Sequence, residues 1–188
     1  ETTVVAVEDA HAVQVLDPET YEAKTIPRPD FFDADAESSA GAIGLMQVHP
    51  PTGGRLAWAA VHGKAQTPSK KHLTTPENNV RLATKLLQLL LRDYFGGVES
   101  RWSRQLLATA SYNAGASRVA EGLTPSGTIE AAAELANRLS PHSIYEQLRR
   151  TAPSETQKYV RRVFSRRTHY TPWREEGEVV YGIPEHRS

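Results

Sequence analysis

Few side chains in this 188-residue chain are suited to chemistry, and they fall in separate short runs. There is no cysteine, which excludes a thiol nucleophile, thiolate metal ligands and disulfides. The seven histidines are scattered, with no His-x-x-x-His pair, so neither a metal site nor a cofactor is expected. Amides, hydroxyls and carboxylates remain. The densest run is Ser38-Ser39-Ala40-Gly41-Ala42-Ile43-Gly44-Leu45-Met46-Gln47-Val48-His49-Pro50. Its glycines let backbone come close to a neighbour. Ile43, Leu45, Met46 and Val48 can anchor it in a core. Gln47, between two anchors, then presents a donor and an acceptor from a fixed place, as a sugar-binding groove requires. The alternative is a buried helix start in which Gln47 is only a satisfied polar group, because short apolar runs are ambiguous. Tyr112 offers a ring for sugar stacking and a hydroxyl for a hydrogen bond, or is a core tyrosine with a tethered hydroxyl. Asn113 either touches a ligand or caps the following turn. Glu155 falls where a helix dipole favours negative charge, or lines a groove. Glu19, Glu22 and Glu37 read as surface charges.

The elements that must position these residues are mostly helical. Thr75 is a candidate N-cap with Pro76 at the first helical position and Glu77 in the first turn. Val80, Leu82, Ala83, Leu86, Leu87, Leu90 and Leu91 give that helix a long apolar face, ended by Gly96-Gly97, and it is expected to be the central buried helix. Leu56, Ala59, Ala60 and His62 mark an earlier helix, and Gly63 to His72 a basic, polar surface loop. Trp102 to Tyr112 forms a helix with Leu106, Leu107 and Ala110 inward. Ile129 to Leu139 forms another, and Ser140-Pro141 starts one through Ile144, Tyr145 and Leu148. Ser154 with Gln157 has the spacing of a capping box. Arg161, Arg162, Arg166, Arg167 and His169 gather at that last helix's end, where the dipole favours cations.

Strand signals lie mainly at the N-terminus. Thr2 to Val5, Ala12 to Leu16 and Tyr21 to Ile26 are β-rich, and Asp17-Pro18-Glu19-Thr20 has type I turn chemistry, which predicts a β-hairpin. Pro27-Arg28-Pro29 ends it. Val179-Val180-Tyr181 can add a short strand. The predicted fold is mainly α with a small N-terminal β-hairpin, divided into an extension at 1–30, a helical domain at 31–170 and a tail at 171–188. Lys+Arg 22 balances Asp+Glu 22, so no global field favours nucleic acid or an anionic membrane. No apolar run approaches the ~18 residues of a membrane span. No signal peptide is visible, and a start at Glu1 predicts a mature or trimmed form.

Three ordered blocks resemble the lytic transglycosylase SLT family, the goose-lysozyme-like murein-cleaving enzymes. Phe32-Asp33-Ala34 with Ser38 to Gln47 fits the family's Ser-x-x-Gly-Ala-x-Gly-Leu-Met-Gln block in register. Ala110-Ser111-Tyr112-Asn113-Ala114-Gly115 resembles its Ala-Tyr-Asn-Ala-Gly block. Ser154-Glu155-Thr156-Gln157-Lys158-Tyr159-Val160 resembles its Glu-Thr-x-x-Tyr-Val block. Within the family, Ser140 to Tyr145 and Ala152-Pro153-Ser154 are most similar to the membrane-bound C branch.

The resemblance implies a lysozyme-like helical domain. It implies cleavage between N-acetylmuramic acid and N-acetylglucosamine with a 1,6-anhydromuramoyl product. One Glu of the family protonates the glycosidic oxygen, then takes the proton of the muramoyl C6 hydroxyl as that oxygen attacks the anomeric carbon. Ser38, Gln47, Tyr112, Asn113 and Glu155 are the implied substrate-binding residues. Peptidoglycan strands are the implied partner, met by a monomer in the bacterial cell envelope, at the periplasmic or outer-membrane side and near a membrane. In the family register the catalytic Glu falls on Pro29 and its partner Ser on Asp30, and a proline cannot move protons. Glu37-Ser38-Ser39 resembles the Glu-Ser-Ser of the C branch, which makes Glu37 the candidate acid. A murein-binding protein that keeps the groove without the chemistry is the alternative.

Overall fold

The computed structural model describes three strand segments, 3–7, 12–16 and 23–27, and residues 33–166. The chain is mainly helical. Strands β1 (Thr3–Val7), β2 (Ala12–Leu16) and β3 (Ala23–Pro27) pair antiparallel in that order, with Val13 opposite Ile26. The expected turn at Asp17–Thr20 lies outside the described residues, as do Glu19, Glu22, Pro29, Phe32, Arg167, His169 and the Val179–Tyr181 run.

Eight helices follow among the described residues: α1 (Arg55–His62), α2 (Lys70–Leu73), α3 (Pro76–Leu89), α4 (Arg101–Ala114), α5 (Ala116–Leu123), α6 (Ile129–Arg138), α7 (Pro141–Thr151) and α8 (Ser154–Arg166). Helix α4 is the central one, not α3. It packs against α3, α5, α7 and α8. Ser103, Leu106, Leu107, Ala108, Ala110 and Ser111 are all buried along it, a spread too wide for a single face. Small side chains on several sides let four helices approach it, which a one-sided Leu stripe such as that of α3 cannot do. Caps act where side-chain oxygens precede the helices. Ser100 Oγ accepts from the Ser103 N–H at 3.3 Å, and Ser140 Oγ from the Ser143 N–H at 3.1 Å.

Two expectations about α3 are corrected. Thr75 occupies the N-cap, but its hydroxyl donates to the Lys71 carbonyl and caps nothing. Val80 points to solvent at 44% exposure, whereas Asn79 is fully buried. The stripe Leu82, Ala83, Leu86, Leu90 extended one turn back reaches 79, not 80. The helix then widens into a π-turn at Leu90–Tyr94, closed by the Phe95 N–H on the Leu90 carbonyl, before Gly96-Gly97. At the expected surface loop, α2 interrupts the exposed stretch and sends Leu73 fully into the core. The capping box at Ser154 does not form either. The Gln157 amide donates to the Ala152 carbonyl at 2.7 Å, and the Gln157 N–H to the Pro153 carbonyl.

Candidate functional site

The Gln47 segment is a tight turn rather than a helix start. Ile43 and Val48 exchange backbone hydrogen bonds at 3.0 Å each, and the Gln47 N–H closes the turn on the Gly44 carbonyl at 2.9 Å. Both turn ends are left-handed, Gly44 at φ 76° and Gln47 at φ 50°. For Gln47 that conformation costs about 1–2 kcal/mol, so something must hold it.

What holds it is Asn79. Its Oδ1 accepts from the Met46 N–H at 2.8 Å, while its Nδ2 donates to the Ile43 and Leu73 carbonyls, both at 2.8 Å. A buried amide is stable only when paired in this way. Gly44 makes the approach possible. A Cβ there would sit 2.4 Å from both the Asn79 Nδ2 and the Leu73 carbonyl oxygen.

From the other side the turn is held by Tyr112, whose hydroxyl donates to the Met46 carbonyl at 2.8 Å. Burial, with Tyr159 beside it, pushes the Tyr112 phenol well above its usual range, so it stays a neutral donor. Burial raises Tyr159 as well. Asn113 does not cap α5, whose N-cap is Gly115. Its Oδ1 instead accepts from the buried Thr156 hydroxyl at 2.7 Å, which joins the end of α4 to the start of α8. Three runs far apart in sequence, 43–48, 112–113 and 156–159, are thereby tied into one corner.

The other expected site residues lie at the edges of this corner. Gln47 is exposed, and its amide donates to the Gly44 carbonyl at 3.0 Å and more loosely to that of Ala36 at 3.4 Å. Ser38 Oγ accepts from the Ala42 N–H at 3.0 Å, so it shapes the preceding turn. Glu155 is exposed in the first turn of α8. Glu37 is bridged to Ile43 through backbone, but its side chain is exposed and ion-paired with Lys70. That pairing holds the Lys70 ammonium above its ordinary range. Glu37 is thus an exposed, ion-paired side chain rather than one enclosed by apolar walls. Among the described residues no group of three or more His, Asp and Glu is placed to hold a metal ion.

Sequence reasoning missed Asn79 and Thr156. Both carried a signal. Asn79 continues the buried stripe of Leu82, Ala83 and Leu86, and Thr156 that of Val160 and Phe164, each at helical spacing. A polar residue in an apolar stripe marks a side chain with a buried partner.

The family model for the transglycosylase SLT domain matches residues 30–134. The chain belongs to the transglycosylase SLT family. That SLT match covers the Gly44 turn and the Tyr112–Asn113 block, while the Thr156–Tyr159 block lies beyond it. A membrane-bound lytic murein transglycosylase C of Edwardsiella ictaluri is 34% identical over 140 residues, 74% of this chain and 38% of the relative. The protein of the same name from Yersinia enterocolitica is 33% identical over 140 residues, again 74% and 38%. That of Photorhabdus laumondii is 34% identical over 133 residues, 70% and 36%. The chain therefore spans less than two fifths of the length of these curated relatives.

Proposed function

We propose that this SLT-family chain is a murein lytic transglycosylase domain, cleaving the MurNAc-GlcNAc β-1,4 bond with formation of 1,6-anhydromuramoyl ends. The observation that carries the reading is the corner itself. The turn presenting Gln47, the α4 end carrying Tyr112 and Asn113, and the α8 start carrying Glu155 are joined by the Tyr112–Met46 and Asn113–Thr156 hydrogen bonds. Rigid amides and a neutral phenol beside aromatic surface suit neutral acetamido sugars. In this reading Gln47, Asn113 and Ser38 orient acetamido groups, Tyr112 offers ring face, and Glu155 lines the groove. Glu37 is the candidate acid, and its exchange of Lys70 for substrate would accompany binding.

The substrate follows from the same reading: peptidoglycan glycan strands, met in the cell envelope near a membrane, by a monomer. The relatives' names carry the words membrane-bound, and among the described residues no helix is long and apolar enough to cross a membrane. The N-terminal hairpin and the limits 1–30, 31–170 and 171–188 belong to the proposal too, and limited proteolysis tests them.

The deciding experiment is mass spectrometry of the soluble products released from murein sacculi. Anhydromuropeptides that disappear with Glu37→Gln support both reaction and acid. Anhydromuropeptides that persist in Glu37→Gln move the acid elsewhere. No products, with the chain still co-sedimenting with sacculi, favour the binding module that Pro29, in the family's Glu register, suggests.

A further inference from the structure

We propose that Asn79 is a positioning residue for the glycan-contacting turn, acting from inside the core with no contact to the ligand. The inference rests on the reading of the Gly44–Gln47 turn as part of a sugar groove. It goes beyond that reading because Asn79 lies in none of the three runs that form the corner.

Asn79 meets the turn at both ends. One amide takes the Ile43 carbonyl before it and the Met46 N–H near its close. Its third bond, to the Leu73 carbonyl, ties the same turn to the end of α2. The side chain is fully buried, so no water can substitute for any of the three. The Met46 peptide is thus clamped on two sides, its N–H by Asn79 and its C=O by Tyr112. Gln47 follows directly, in a left-handed conformation that an unclamped chain would leave. Loss of Asn79 therefore frees the peptide that aims both Tyr112 and Gln47. A ligand that needs both then pays to reorder them.

The Asn79→Asp variant supplies a reversible test. Ionised, the new carboxylate still accepts from Met46 but faces the Ile43 and Leu73 carbonyls with no donor. Protonated, it regains one donor. Burial and two facing carbonyl oxygens raise such a carboxyl's pKa, which brings the change into a workable range.

Chitotetraose binding is measured by calorimetry at about pH 5 and about pH 7.5, well below the melting temperature of each protein. The wild type is expected to bind alike at both. Asn79→Asp is expected to bind roughly tenfold more weakly at the higher pH and to recover at the lower. A variant that melts earlier but binds like the wild type at both values has only a structural Asn79, and overturns the proposal. Met46 amide hydrogen exchange in the wild type gives a second arm that needs no variant to fold and no ligand to bind. Protection of Met46 comparable to Leu107 in α4 supports the clamp, and exchange as fast as an exposed loop overturns it. A wild type that binds no chitotetraose refutes the glycan reading, while the exchange arm still decides whether the clamp exists.

Discussion

Glu37 and Ile43 are backbone neighbours across an antiparallel bridge, yet their side chains occupy different media. Ile43 is buried, and the turn it opens is clamped from the core by Asn79 and from α4 by Tyr112. Glu37 projects into water and meets one lysine. On one side, geometry is fixed by three satisfied buried bonds. On the other, a charge is held by an exposed pair that solvent and salt screen. Order of the backbone and preorganisation of a side chain are therefore separate properties. The corner has the second at Tyr112, and at Glu37 only the first.

The harshest way to break the clamped side is Gly44→Ala. The added methyl collides with Asn79 and the Leu73 carbonyl at a φ of 76°, so urea denaturation should show a loss of about 3 kcal/mol. Gly41→Ala is its control, since φ is 81° there but no atom lies within 4 Å. Backbone strain alone predicts ~1 kcal/mol. Equal losses at both sites would mean that the close approach of Asn79 is not what the turn depends on.

Thr156→Val removes the bond that ties α8 to Asn113 while keeping the shape, and should cost ~1 kcal/mol in the same assay. Asn113 is exposed and can turn to water, which keeps the loss small. A loss several times larger would show that α8 docks through this pair rather than through Val160 and Phe164.

A smaller effect is expected from pH. His72 packs edge-on to Trp58 at 4.9 Å. Its pKa is lowered by partial burial first, then by His62 and Arg81. A group depressed in the folded state stabilises above its unfolded value, here near 6.5, and that contribution is lost as pH falls through the folded value. Thermal melts between about pH 7.5 and pH 5 should therefore drop less in His72→Gln than in the wild type. Parallel curves would remove His72 from the acid sensitivity. Smallest of all, Glu37→Gln should leave the melting temperature unchanged, because its ion pair with Lys70 is exposed and screened by solvent. A clear loss would mean the exposed side of the comparison is tied down after all.

Much of the corner was legible in the sequence. The 38–50 run, Tyr112 and Asn113 stood out by residue type, and Leu106, Leu107 and Ala110 face inward as the α4 periodicity predicts. What was not legible is who pairs with whom. Asn113 resembles a cap because Asn so often is one, and only the arrival of α8, forty-three residues later, gives it Thr156 instead. Ser154 and Gln157 have capping-box spacing, but the first hydrogen bond of α8 goes to Pro153, which shifts the frame by one residue. Counting apolar residues on α3 favoured Val80 by hydrophobicity, although the stripe runs through Asn79. At Asn113 and Asn79 a local preference yielded to a contact between distant segments, which no spacing rule contains.

The Asn79 amide also sets a length. Its two ends bond Ile43 and Met46, so the number of peptide units between them is fixed by the span of one side chain. One residue added or deleted at 44–45 would present the wrong group to each end, an N–H to a donor or a carbonyl to an acceptor. The exposed stretch at 63–67 meets no such gauge. Insertions should accumulate there over evolutionary time and should be absent between Ile43 and Met46, whatever the residues themselves become.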